Sequence, residues 1–173
     1  MPSSTLSRFL APAECSEWLV AHGLVENPVA DAPGTCFFQF SPRPCFVSLR
    51  GLFNGLLDDA ETFNGGLLRF DTWEWDGGCE FDPTASYRRV RGDSRTLRQA
   101  PGFVFDADET MEVADLLALV VERKWSASFY AASKEATLVL RDGNRVDVFA
   151  ADLGVERRIQ HRLVELGTVL FIP

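Results

Sequence analysis

The sequence predicts an α+β fold, in which a mainly antiparallel sheet carries three or four packed helices. The tripeptide Asp142-Gly143-Asn144 separates two short segments of alternating apolar residues, a pattern typical of a β-hairpin. Apolar residues at helical spacing come before and after that hairpin. A chain of 173 residues is long enough to bury one hydrophobic core, and we predict a single domain over residues 1–173.

The first half of the chain is predicted to mix helices and strands. Pro12 suits the first turn of a helix, and Gly23 suits its exit. Strands are indicated where aromatic and β-branched residues lie between turn residues. The predicted elements are a helix from Pro12 to just before Gly23, strands over 35–40 and 45–50, a helix over 52–60 and a strand over 67–75.

The second half carries clearer signals. Asp106 and Glu109 have the spacing of a capping box, and a wide apolar stripe follows them. Val155, Ile159 and Leu163 recur every four residues in a second helix. The predicted elements are a strand over 103–105, a helix over 108–123, strands over 125–132, 136–141 and 145–150, a helix from 152 to before 167 and a strand over 168–172.

Composition limits the compartment. No apolar segment approaches the roughly 18 residues of a membrane helix, and the N-terminal residues do not resemble a signal peptide. The four cysteines contain no CxxC pair, which favours reduced thiols over disulfides or zinc ligands. We therefore predict a cytoplasmic protein with no membrane contact.

The net charge is −8, and the charged residues are distributed unevenly along the chain. Residues 61–82 hold six acids against one base, and residues 106–124 hold six against two. Residues 83–105 hold five arginines against one acid, Asp93. This arginine block fits either a phosphate or nucleic-acid contact or internal pairing with the neighbouring acids. In so acidic a chain we favour internal pairing and predict no nucleic-acid partner.

The segment from Leu67 to Asp82 is the candidate functional surface. It contains two tryptophans, five carboxylates and a Gly-Gly pair that suits a tight reversal. Strand alternation would place Asp71, Trp73 and Trp75 on one side. Two interpretations remain open: a plain hairpin whose tryptophans cap the core, or a recognition surface or active site with aromatic side chains beside carboxylates. The candidate binding residues are Asp71, Trp73, Glu74, Trp75, Asp76, Glu80 and Asp82.

Several chemistries have no motif in the sequence. It contains no phosphate loop, no GxGxxG after a strand, no GxSxG elbow, no HExxH and no calcium-loop spacing. His22 falls in the last turn of a predicted helix, where a structural role is favoured. His161 and Glu165 lie one helical turn apart, which favours a surface pair over two metal ligands. We predict no catalytic residue, no metal site and no cofactor.

Two functional hypotheses follow from these observations. The first is a small acidic binding protein, for example an inhibitor or immunity-type protein that covers a basic protein partner. The second is a carboxylate hydrolase acting on a sugar-like ligand, with Glu74 and Asp76, or Glu80 and Asp82, beside Trp73 or Trp75. Glu74 and Asp76 would lie roughly 6.8 Å apart on a strand, within the range used in glycoside hydrolysis. The binding protein is favoured because no motif names a reaction.

Overall fold

A computed structural model describes residues 8–30, 34–42, 47–73 and 83–171. The strands are Phe9–Leu10 (β1), Cys36–Phe40 (β2), Gly66–Thr72 (β3), Gly102–Phe105 (β4), Ser126–Ala131 (β5), Ala136–Arg141 (β6), Arg145–Ala150 (β7) and Leu170–Phe171 (β8). The helices are Pro12–Ala21 (α1), Leu49–Leu57 (α2), Ala85–Val90 (α3), Thr110–Glu122 (α4) and Leu153–Glu165 (α5). The predicted α+β class is confirmed, with five helices in the described residues instead of three or four.

All eight strands form one antiparallel sheet in the order β1-β4-β3-β5-β6-β7-β2-β8. The predicted hairpin is present at its centre, where Arg141 of β6 pairs with Arg145 of β7. Its turn has positive φ at Asp142 (51°) and Gly143 (63°), and the Asn144 N–H donates to the carbonyl of Arg141. Positive φ was expected at Gly143 or Asn144. Asp142 and Gly143 are the central residues of the turn from Arg141 to Asn144, and positive φ at both is the type I′ pattern.

The main hydrophobic core lies on one face of the sheet. Helix α2 contacts α4 and α5, while α4 contacts β5 and α5 contacts β2 and β7. Side chains of alternate strand residues point into this layer, as the pleat requires. They include Phe38, Phe70, Phe103, Phe129, Leu138 and Val148, all at most 2% exposed. The helices thus bury one face of the sheet, which we call the helix-covered face.

Helix α1 packs on the opposite face. Cys15 and Leu19 of α1 pack against Leu67 of β3 and Tyr130 of β5. These two side chains point to the face opposite the main core, because side chains alternate along a strand. Burial raises the pKa of the Cys15 thiol to about 11, so this thiol stays protonated at neutral pH. We call this side of the sheet the open face, because α1 packs on it near β1, β3, β4 and β5 and not near β6 and β7 among the described contacts.

The predicted strand over 45–50 is wrong at its C-terminal end. The Ser48 hydroxyl accepts a hydrogen bond from the Gly51 N–H, and α2 begins at Leu49. Ser48 is therefore an N-cap, and Leu49 and Arg50 belong to a helix instead of a strand. Cys45 and Phe46 lie outside the described residues. Strand β1 and helix α3 were not predicted. None of the described helices is both long enough and apolar enough to cross a membrane.

Candidate functional site

The structure describes only the beginning of the predicted binding segment. Asp71 and Trp73 stand at the end of β3. The other five candidates lie outside the described residues: Glu74, Trp75, Asp76, Glu80 and Asp82. For these five the assignment stays a prediction from the sequence.

A β-bulge changes which way the end of β3 faces. Phe70 pairs with Ala127 and Thr72 pairs with Ser126, so Asp71 is an extra residue on the β3 side. Asp71 faces the open side of the sheet, where it meets Ser128. Trp73 is partly buried and packs against the main core on the other side. The simple alternation that would put Asp71 and Trp73 together is therefore wrong, because the bulge reverses it.

Asp71 is held in a polar network on the open face. Ser128 Oγ donates to Asp71 Oδ2 at 2.6 Å, and Arg69 Nε donates to Asp71 Oδ1 at 2.8 Å. Arg69 also pairs with Glu26, which lies in the loop after α1. The Arg69 side chain is only 12% exposed, so its positive charge interacts with these two carboxylates. Asp71 supports the base of the segment and has little free charge for a partner.

A second polar network lies three strands away on the same face. The carboxylate of Asp147 on β7 accepts hydrogen bonds from Arg141 and from the amide of Gln39, and Arg145 Nε lies 3.1 Å from it. The Asp147 side chain is 4% exposed, while both arginines are about half exposed. A buried carboxylate needs such partners, since desolvation otherwise disfavours its charge.

Part of the arginine block is paired inside the protein, and Arg91 pairs with a flanking acidic segment as predicted, while Arg89 and Arg98 are exposed. Arg91 pairs with Glu109 and Glu112 of the following acidic segment. Arg95 pairs with Asp93, and this hydrogen bond lowers the pKa of the Asp93 carboxyl. The block also contains a buried residue that the sequence did not indicate, since Arg88 is 1% exposed.

The guanidinium of Arg88 lies 4.3 Å from the ring centroid of Phe103 and 5.2 Å from that of Phe9. Arg88 donates to the carbonyl of Ala100 and to the hydroxyl of Thr84. These contacts hold α3 against β1 and β4. The residue is thus a structural part of the core edge, which no local pattern of charge could have revealed.

Both histidines have local partners. His22 stacks on Trp18 with ring centroids 3.8 Å apart, and its Nδ1 lies 2.8 Å from the Trp18 carbonyl oxygen. His161 Nδ1 lies 3.7 Å from a carboxylate oxygen of Glu165 in an exposed i,i+4 pair. Within the described ranges, no three histidine, cysteine or carboxylate side chains are grouped so that they could hold a metal ion.

No family model, curated protein or solved structure matches this chain. The described part of the site consists of Trp73, packed on the core at the end of β3, and of Asp71 and Glu26, both paired with Arg69. The acidic residues of 74–82 follow directly in the sequence.

Proposed function

We propose that this chain is a binding module that captures a basic protein partner through the acidic segment 74–82, as an inhibitor or immunity-type protein would. The observation that carries the proposal is the concentration of acidic residues, without any basic residue, in this segment. Residues 74–82 contain four acids and no base, which amounts to half of the net charge of −8. A concentrated charge of one sign steers an oppositely charged partner and raises its association rate.

The described part of the chain supports the proposal as well. Most of the acids that the structure describes have an arginine partner within 4.0 Å. A carboxylate paired in this way projects little net field into solvent. Residues 74–82 themselves contain no Lys or Arg. In the proposal, their negative charge supplies the field that attracts the basic partner.

The strand that leads into the segment provides a rigid base. β3 is paired on both sides, with β4 and β5, and Trp73 packs on the core at its end. Binding groups carried by a rigid element lose less entropy on complex formation. In the proposal, Trp73 fixes the start of the segment. Trp75 supplies the aromatic anchor, since tryptophan is enriched among binding hot spots.

The proposal is tested by capture from native lysate with two variants of equal charge. The test variant combines Glu74→Gln, Asp76→Asn, Glu80→Gln and Asp82→Asn. The control variant combines Glu17→Gln, Glu61→Gln, Asp108→Asn and Glu122→Gln, four exposed acids without an arginine partner among the described residues. Each variant loses four negative charges. We expect the wild type and the control to capture the same basic protein at low salt, and the test variant to lose it.

Thermal unfolding of both variants establishes that each is folded before capture is compared. Equal capture by all three proteins would contradict the proposal, because the segment would then contribute nothing. Equal loss in both variants would contradict it as well, since the total charge and not the segment would govern binding.

A further inference from the structure

A cavity of about 230 Å³ lies on the open face, between the chain that follows α1 and strands β6 and β7. One wall is the chain that follows α1, with Leu24, Val25 and Val29. The other wall is formed by Ala136 of β6 and Phe149 of β7. The lining is thus largely apolar, which is usual for sites that bind small molecules.

The wall formed by the chain after α1 is fixed to the sheet. Gly23 ends α1 with a φ of 63°, and the Leu24 N–H donates back to the carbonyl of Leu19. Glu26 pairs with Arg69 of β3 and lies 3.3 Å from the Ser16 hydroxyl. These contacts fix residues 23–26, the first part of this wall, against α1 and β3. A preformed site costs less ordering entropy when a ligand enters.

The mouth of the cavity exposes apolar side chains. Val25 is 70% exposed and Val29 is 63% exposed, although both line the cavity. Burying such side chains against an apolar ligand removes their surface from water and favours binding. The apolar mouth therefore selects a ligand with a hydrocarbon portion.

Lys134 is the charged residue among those that line the cavity. Its ammonium lies 3.4 Å from the position that a Cβ on Gly23 would take, at the C-terminal end of α1. Among the described residues, no carboxylate lies within ion-pair distance of it. An ammonium beside apolar walls is complementary to an anion that carries a hydrocarbon chain.

We infer that this cavity binds a small carboxylate with an apolar chain, whose tail contacts Val25, Val29 and Phe149 and whose carboxylate meets the Lys134 ammonium. A neutral apolar molecule would gain nothing from the ammonium of Lys134, which is an exposed residue. A polyphosphate would place its charged oxygens against the apolar side chains of Val25, Val29 and Phe149, which is unfavourable. This inference does not depend on the proposed capture of a basic protein.

Octanoate and 1-octanol are the probes, because they share a hydrocarbon chain and differ in charge. Binding is followed by amide chemical shifts of the full chain during titration. The wild type is expected to bind octanoate more tightly than 1-octanol, with shifts at residues 23–29, 134–137 and 149–151. Lys134→Gln should weaken octanoate binding about five-fold and leave 1-octanol unchanged.

The chain offers a matched control, because its two lysines both have positive φ, 69° at Lys134 and 56° at Lys124. Lys124→Gln removes the same charge outside this cavity and should leave octanoate binding unchanged. Val29→Asp, at an exposed position, should abolish octanoate binding without unfolding the protein. The variant of residues 74–82 should bind octanoate like the wild type.

Three results would overturn the inference. The first is equal affinity for octanoate and 1-octanol, which would show that charge is not recognised. The second is equal weakening by Lys124→Gln and Lys134→Gln. The third is octanoate-dependent shifts confined to residues outside the cavity.

Discussion

Replacing Gly143 with valine is expected to lower the free energy of unfolding by about 2–4 kcal/mol. The φ of 63° at Gly143 is unfavourable for a β-branched residue. A Cβ at this position would also lie 2.5 Å from the carbonyl oxygen of Val121 and 2.9 Å from the Cα of Lys124. Both are backbone atoms at the end of α4, so the hairpin would have to move away from that helix. Urea denaturation of the two proteins measures the difference.

Gly92 provides the control for the conformational part of this loss. Its φ is 79°, and an added Cβ would meet nothing within 4 Å. Gly92→Val should therefore cost about 1–2 kcal/mol from the backbone alone. If the two valine variants lose the same free energy of unfolding, the close approach of the hairpin to α4 contributes nothing, and this explanation is wrong.

The second large effect is expected when Asp147 loses its arginines. Arg141→Met with Arg145→Met leaves a carboxylate that is 4% exposed, with Gln39 as its remaining side-chain donor among the described residues. An uncompensated buried charge costs about 3–5 kcal/mol. The same double variant removes two like charges that face each other across the strands, which offsets a small part of the loss. We expect a net decrease of about 3 kcal/mol in urea denaturation.

A third substitution separates charge from packing. Adding Asp147→Asn to the double variant removes the buried charge and should recover most of the lost stability. The control is Arg89→Met with Arg98→Met, two exposed arginines, which should change stability by less than about 1 kcal/mol. If the triple variant remains as unstable as the double variant, the loss comes from the packed stems of the arginines and not from Asp147.

Elements with strong local signals were predictable from the sequence. The boundaries of β6 and β7 match the prediction, because the turn residues and the alternation of apolar residues specify the same hairpin. The N-terminus of α5 was also predictable. Asp152 accepts hydrogen bonds from the N–H groups of Gly154 and Val155, as an N-cap does.

Elements that depend on distant contacts were not predictable. β1 consists of two residues and exists through its pairing with β4, more than ninety positions along the chain. α3 places the Arg88 guanidinium beside the rings of Phe9 and Phe103, whereas its sequence suggests a solvated arginine cluster. In both cases tertiary contacts outweigh local propensity.

The candidate site was predictable only in part. The sequence indicates an acidic and aromatic segment after β3, and that indication rests on composition. The sequence could not indicate that Asp71 pairs with Arg69 and accepts a hydrogen bond from Ser128. Ser128 lies 57 positions away, and the bulge at Asp71 depends on the pairing of β3 with β5. The supporting residues Arg69, Glu26 and Ser128 carry no pattern of their own.

The most direct test of the proposed function is the association rate of the captured partner, measured by stopped-flow at several salt concentrations. The variant with Glu74, Asp76, Glu80 and Asp82 neutralised is expected to associate on the order of ten-fold more slowly at low salt, with a flatter salt dependence. Its dissociation rate should change little. The control variant with four exposed acids neutralised elsewhere should keep most of the wild-type rate. The proposal would be contradicted if both variants had the same association rates and salt dependence, or if the test variant associated like the wild type.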